Sequence, residues 1–92
     1  MIDLAARIML VNPDALLFEP RDVYDPCIVA IGHRSANGPC VAVYDYERLV
    51  RAVQAHLSCD DEEAAEWVDF NMDGAWMGEN TPRIRHYGEG PV

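Results

Sequence analysis

The segment from Cys27 to Tyr44 constrains this chain more than any other. CIVAIG (27–32) and CVAVY (40–44) are apolar runs rich in β-branched residues, and Ser35-Ala36-Asn37-Gly38-Pro39 lies between them. Asn37-Gly38 tolerates the positive φ of a tight reversal, so the two runs are predicted to form an antiparallel β-hairpin spanning 27–44. A turn centred near Ala36 and Asn37 sets His33 opposite Cys40 and leaves Cys27 far away, too far for a Cys27–Cys40 disulfide. The unbroken apolar character of Cys27 to Gly32 predicts a strand covered on both faces.

Two helical signatures follow. Asp45 is placed to cap a helix through about Leu57, because Leu49, Val50, Val53 and Leu57 recur on one face at helical spacing. Glu47 and Arg51 form an i,i+4 pair on the other face, and His56 is assigned to the apolar side as a core histidine. Asp60 followed by Glu63 resembles a capping box and opens the next helix. There Ala64, Trp67, Val68, Asn71 and Met72 share a face, and Gly74 is positioned to stop the helix in the left-handed conformation. With only a short connection between them, the helices of 45–73 should pack as a hairpin. Upstream, Leu4, Ile8 and Val11 fit a short helix, although Ile8 to Val11 also reads as a strand. Pro13, Pro20 and Pro26 make residues 12–26 an ordered arm.

The stretch DFNMDGAWMGENTP (69–82) poses the question of site or corner. Asn71 is expected on the buried face, bonding the loop that follows, with Trp76 and Met77 folded back under the helix. Gly78, Asn80 and Pro82 then turn the chain into a last short strand near Arg83 to Arg85, within a C-terminal region of 74–92. The predicted fold is a small α+β domain covering residues 1–92.

At 92 residues, 50% of them hydrophobic, the chain has room for one core, and a second copy could supply further buried surface as a homodimer. The net charge of −9 opposes direct contact with nucleic acid or an anionic membrane and favours a basic protein partner. No apolar run reaches the roughly 18 residues of a membrane span, and Asp3 and Arg7 interrupt Met1 to Val11, so neither a membrane anchor nor a signal peptide is expected. Cys27, Cys40 and Cys59 form no C-x2-C unit, which fits a reducing cytoplasm and predicts no metal site or other cofactor.

Charge is unevenly placed. From Asp60 to Glu79 the chain is rich in acids and holds neither Lys nor Arg. Glu62, Glu66, Asp69 and Asp73 are spaced to form a stripe on the face opposite Ala64, Val68 and Asn71, with neighbours roughly 5 to 6 Å apart. Such a row could occupy a basic groove built for phosphates, and it is equally what a solvated helix face shows. Enzymatic readings are thin. Asp25, Asp45, Glu79 and His33 could meet in space, and Cys40 opposite His33 could form a nucleophile-base pair, yet an inert buried Cys40 explains the same pattern. No phosphate loop, H-E-x-x-H or Ser-His-Asp pattern is present.

VYDYERLVRAV (43–53), DDEEAAEWVDFNMDGAWMGENTP (60–82) and NPDALL (12–17) together resemble a family of small phage and prophage proteins. The three segments together hold 40 of the 92 residues. It implies a viral protein acting in the host cytoplasm and carries no enzymatic activity with it. By analogy with small acidic phage proteins, it points to inhibition of a host protein, with a basic nucleic-acid-handling defence component such as CRISPR-Cas the leading case. The candidate partner-binding residues are Glu62, Glu66, Asp69, Asp73, Glu79 and Asn80. Two other classes remain open: a virion assembly protein using an apolar surface around Trp67, Phe70 and Trp76, and a binder of a signalling nucleotide using Arg83, Arg85, His86 and Tyr87.

Overall fold

In the computed structural model, residues 3–86 are described. Asp3 caps the first helix, α1 (Leu4–Val11), by accepting a hydrogen bond from the Ala6 amide at 2.8 Å. Of the helix and strand readings for this segment, the helix is the one that forms, and it buries Ala5 and Ile8 rather than Val11. Residues 12–20 then run as an arm fastened into the core. Its Phe18 amide donates to the hydroxyl of buried Tyr44 at 2.9 Å, and the two rings lie 4.6 Å apart. A short helix, α2 (Arg21–Tyr24), and a 3₁₀ turn at Asp25–Cys27 complete a segment expected to be mostly irregular.

The hairpin forms in the predicted register. Strands β1 (Ile28–His33) and β2 (Cys40–Asp45) pair antiparallel with His33 opposite Cys40, and the register slips by one residue between Ile28 and Ala30. Burial on both faces belongs to β2, however, and not to β1. Val41, Ala42, Val43 and Tyr44 are all fully buried, whereas β1 is an edge strand and mostly half-buried. The difference arises because β3 (Arg83–Arg85) pairs parallel to β2 on its other side, giving the order β1-β2-β3. Apolar composition reports lateral position only when the neighbours are known, and a strand this short has too little pattern to announce which neighbour it will choose.

Parallel neighbours need a crossover, and the helical hairpin supplies it. The Asp45 side chain caps α3 (Tyr46–Leu57) through the Arg48 amide, and Ser58 closes it in the left-handed conformation at φ 53°. Its buried face is Leu49 and Val53. Leu57 and His56 reach past the core and are exposed, so His56 is not the core histidine expected; its ring stands edge-on to Tyr24 at 6.3 Å. Asp60 caps α4 (Asp61–Val68) by accepting from the Glu63 amide at 2.9 Å, as the sequence predicts. One buried cluster joins α1, the arm, the sheet and both helices through Ile8, Phe18, Tyr44, Leu49, Val53 and Val68. Each large aliphatic side chain in it contributes roughly 1.5 to 3 kcal/mol through removal from water.

The end of α4 departs from expectation. Asp69–Asp73 continues as a π-helical turn, and Gly74 follows at φ −86°, not in the left-handed region. Widening the turn carries Asn71 off the buried face, while Met72, expected on that face as well, stays inward. Met72 is buried and Asn71 exposed, its side-chain amide donating to the Trp67 carbonyl one turn back at 3.0 Å. Asn71 so avoids a core position where its amide would need a partner. Gly74 serves close approach: a Cβ would come within 3.1 Å of the Asp69 carbonyl, which accepts the Gly74 amide.

Candidate functional site

The corner and the acidic helix face are separate environments. At the corner, Asn12 at the end of α1 donates from its side-chain nitrogen to the Cys40 carbonyl at 2.8 Å and to Asn80 Oδ1 at 2.9 Å. The Leu16 amide donates to the Asn80 carbonyl. Thr81, buried, accepts from the Met77 amide at 2.8 Å and donates to the Gly78 carbonyl. Gly78 holds the positive φ, 97°, that this turn requires. Asn12 and Thr81, not Asn71, therefore pin the corner. Asn80 is half-buried and occupied by Asn12, and Glu79 is exposed beside it. Trp76 and Met77, expected beneath the helix, are 65% and 56% exposed, and the Arg34 guanidinium lies 5.2 Å from the Trp76 ring centre.

The acidic stripe divides where the π turn begins. Glu62 and Glu66 project into solvent from α4. Asp69 accepts from the Tyr46 hydroxyl at 2.9 Å, and Asp73 pairs with His86 Nε2 at 2.9 Å, while the His86 ring stacks on Tyr46 at 4.5 Å. Partial burial, then the Asp69 hydrogen bond, then the charges of Asp69, Asp73 and Glu47 push the Tyr46 phenol up to about 12. This cluster ties the start of α3 and the π turn to the end of β3. Tyr46 and Asp69 are far apart in the chain, and no local spacing announces their bond. The clue available is the stranded charge: two aspartates near a helix C-terminus, where the dipole disfavours them, call for donors from elsewhere.

Beyond the π turn's reach, the outward face of α4 stays open. Among the described residues, ion pairs join Arg21 to Asp25, Arg51 to Glu47, Arg85 to Asp45 and His86 to Asp73, and none involves Asp61, Glu62, Glu63 or Glu66. Phe70, one turn beyond Glu66, is 82% exposed and borders a shallow depression with Glu63, Glu66, half-buried Trp67 and Asn71. Acids in the first turn of α4 complement the helix dipole. Glu66 lies beyond that first turn, with neither its support nor an ion-pair partner among the described residues.

The other readings find less. Asp25, Asp45, Glu79 and His33 are not brought together: Asp25 is bound to Arg21, Asp45 caps α3, and His33, at the opposite end of β2 from Asp45, donates from Nδ1 to the Gly38 carbonyl. Cys40 is half-buried and Cys27 is the buried thiol, pushed up by burial and so held protonated; all three cysteines are free. Among the described residues no group of three or more His, Cys, Asp or Glu is arranged to hold a metal ion. Arg85 and His86 are engaged with Asp45 and Asp73, and Tyr87 lies outside the described residues. No described helix is long and apolar enough to cross a membrane. No protein family, curated protein or solved structure significantly matches this chain.

Proposed function

We propose that this chain is a non-enzymatic binding protein whose acidic α4 face engages a basic surface on a nucleic-acid-handling protein. The observation that carries the reading is the contrast within the acids. Seven acidic side chains are used as caps, ion-pair partners or acceptors, namely Asp3, Asp25, Asp45, Glu47, Asp60, Asp69 and Asp73. Glu62, Glu63 and Glu66 are instead exposed, form no ion pair with any described residue, and share one helix. Carboxylates at that pitch oppose a row of Lys or Arg side chains on a surface that otherwise binds phosphates, which favours encounter and selects against acidic partners.

Following the resemblance to phage and prophage proteins, the target is a host defence component such as CRISPR-Cas, inhibited in the host cytoplasm by covering its nucleic-acid channel. The contact is Glu62 and Glu66, flanked by Glu63 and Phe70. Asp69 and Asp73 contribute charge while holding Tyr46 and His86, and Glu79 and Asn80 lie at the separate corner.

The test is a pull-down from host lysate with wild type and a Glu62→Lys, Glu63→Lys, Glu66→Lys variant, followed by a nucleic-acid-binding assay on the captured protein. Capture of a basic protein whose nucleic-acid binding falls in the presence of wild type, and is restored with the folded variant, is the expected result. Equal capture by both forms, or a captured protein whose nucleic-acid binding is unchanged, would overturn the reading.

A further inference from the structure

Two arginines near the hairpin turn of this acidic chain have no carboxylate partner among the described residues, as is also true of Arg7 and Arg48 elsewhere. Neither Arg34 nor Arg83 forms an ion pair with any described residue, although the chain holds sixteen acids. Both line one open depression of about 490 Å³ near the hairpin turn, together with His33 and Ser35. Arg83 belongs to β3 and Gly32 to β1, the two outer strands, and both border the depression. Gly32 leaves room for Val43: a Cβ there would come 2.9 Å from Cγ2 of that side chain. Arg34 is held in place by donating from Nη1 to the Pro82 carbonyl at 2.7 Å and by its contact with Trp76. A guanidinium has five N–H donors, so most remain for an outside acceptor.

A second depression, of about 220 Å³, shares Arg34 and Ser35 with the first and adds Pro39, Trp76 and Glu79. Cations therefore gather at one end of a continuous lining, and an aromatic face with one carboxylate at the other. We infer that this end of the molecule binds a mononucleotide, with the phosphate between Arg34, Arg83 and His33 and the base against Trp76. Glu79 repels the phosphate and accepts from a hydroxyl or amino group, which fixes the ligand's direction. Guanidinium groups match phosphate oxygens with two parallel hydrogen bonds, and exposed Trp offers a face on which any base stacks. The depressions fall near the roughly 300 to 1,000 Å³ usual for small-molecule sites. The repulsive field of the remaining acids is screened over about 8 Å at physiological salt. The proposal goes beyond the acidic-face reading and uses none of its residues apart from Glu79.

Titration of the full chain with adenosine monophosphate, adenosine and inorganic phosphate at constant ionic strength, followed by amide and indole NMR signals, tests it. Adenosine monophosphate should saturably shift Gly32, Ser35 and the Trp76 indole, and bind about tenfold or more tightly than either fragment, since a charge-assisted hydrogen bond to the phosphate, which adenosine lacks, and a stacked base, which inorganic phosphate lacks, are each worth about that factor. Arg83→Gln should weaken it about tenfold, and Trp76→Leu, at an exposed position that folding does not need, should abolish its advantage over inorganic phosphate. Absence of saturable shifts, equal binding of the nucleotide and inorganic phosphate by wild type, or undiminished affinity in both variants would each overturn the assignment.

Discussion

The loop Gly74 to Pro82 and the outward face of α4 come from one continuous acidic segment, yet they are built in opposite ways. In the loop, Asn80, Thr81 and the Gly78 carbonyl each have a partner, and part of the load is carried by Asn12 from the far end of the sequence. On α4, Glu66 and Phe70 stand one turn apart with no partner among the described residues. A polar side chain taken from water must be satisfied or it costs stability, whereas one left in water costs nothing and is free to bind something else. Conspicuous sequence therefore marked two regions, and only the hydrogen-bond inventory tells the fastened one from the open one.

If that contrast holds, Asn12→Ala should give the largest loss. It removes donors to both the Cys40 carbonyl and Asn80, with an expected cost of about 1 to 3 kcal/mol. Thr81→Val should cost a similar amount by leaving the Met77 amide without its acceptor. Urea unfolding would read either as a lower midpoint at constant slope. A shift equivalent to less than about 0.5 kcal/mol in both would mean that the corner is held by packing alone.

At the start of α4 an intermediate effect is expected, because one acid there does fasten the structure. Asp60→Ala deletes the cap on the Glu63 amide and should cost about 1 kcal/mol, while Asp60→Asn, which keeps an acceptor, should cost less. Equal losses in the two variants would assign the effect of Asp60 to its charge at the helix end and not to capping.

Between the fastened and open regions lies the Tyr46 cluster, and alkaline pH separates its contribution. The Tyr46 phenol is raised in the folded chain to about 12, above its ordinary value near 10, so the folded state holds this proton more tightly than the unfolded one. Its contribution is complete below about pH 10 and is lost as pH climbs through about 12. Buried Tyr44 and Tyr24 shift in the same direction and persist in a Tyr46→Phe variant. Wild-type stability should therefore fall more steeply than that of the variant, and the gap between them should close from about pH 10 to 12. Parallel curves would sink the assignment of this proton to the Asp69 contact.

Much of the architecture is legible locally. The caps at Asp45 and Asp60 and the His33 to Cys40 register follow from rules acting over a few residues and are found as expected, whereas the turn at Asn37-Gly38 forms without the positive φ anticipated there. What sequence does not disclose is decided by residues brought from a distance. The parallel choice of β3 makes β2 the doubly covered strand, the π turn carries Asn71 to the surface, and Asn12 reaches Asn80 across most of the chain. The site followed the same division. Glu62 and Glu66, on regular helix, lie where periodicity placed them, whereas Asp69 and Asp73 lie beyond the change in pitch and were turned toward Tyr46 and His86.

The smallest expected effect on stability is the sharpest test of the open face. Glu66 stands midway along the continuous run of α4 and its π turn, one turn after Glu62, a like charge at the unfavourable i,i+4 spacing. Reversing it with Glu66→Lys removes that penalty, so stability should change by no more than about 0.5 kcal/mol and in the stabilising direction. On the acidic-face proposal, partner capture should fall in the same variant. Destabilisation beyond about 1 kcal/mol would show that Glu66 has work within the chain after all, and the contrast between a fastened loop and an open helix face would fail at its central residue.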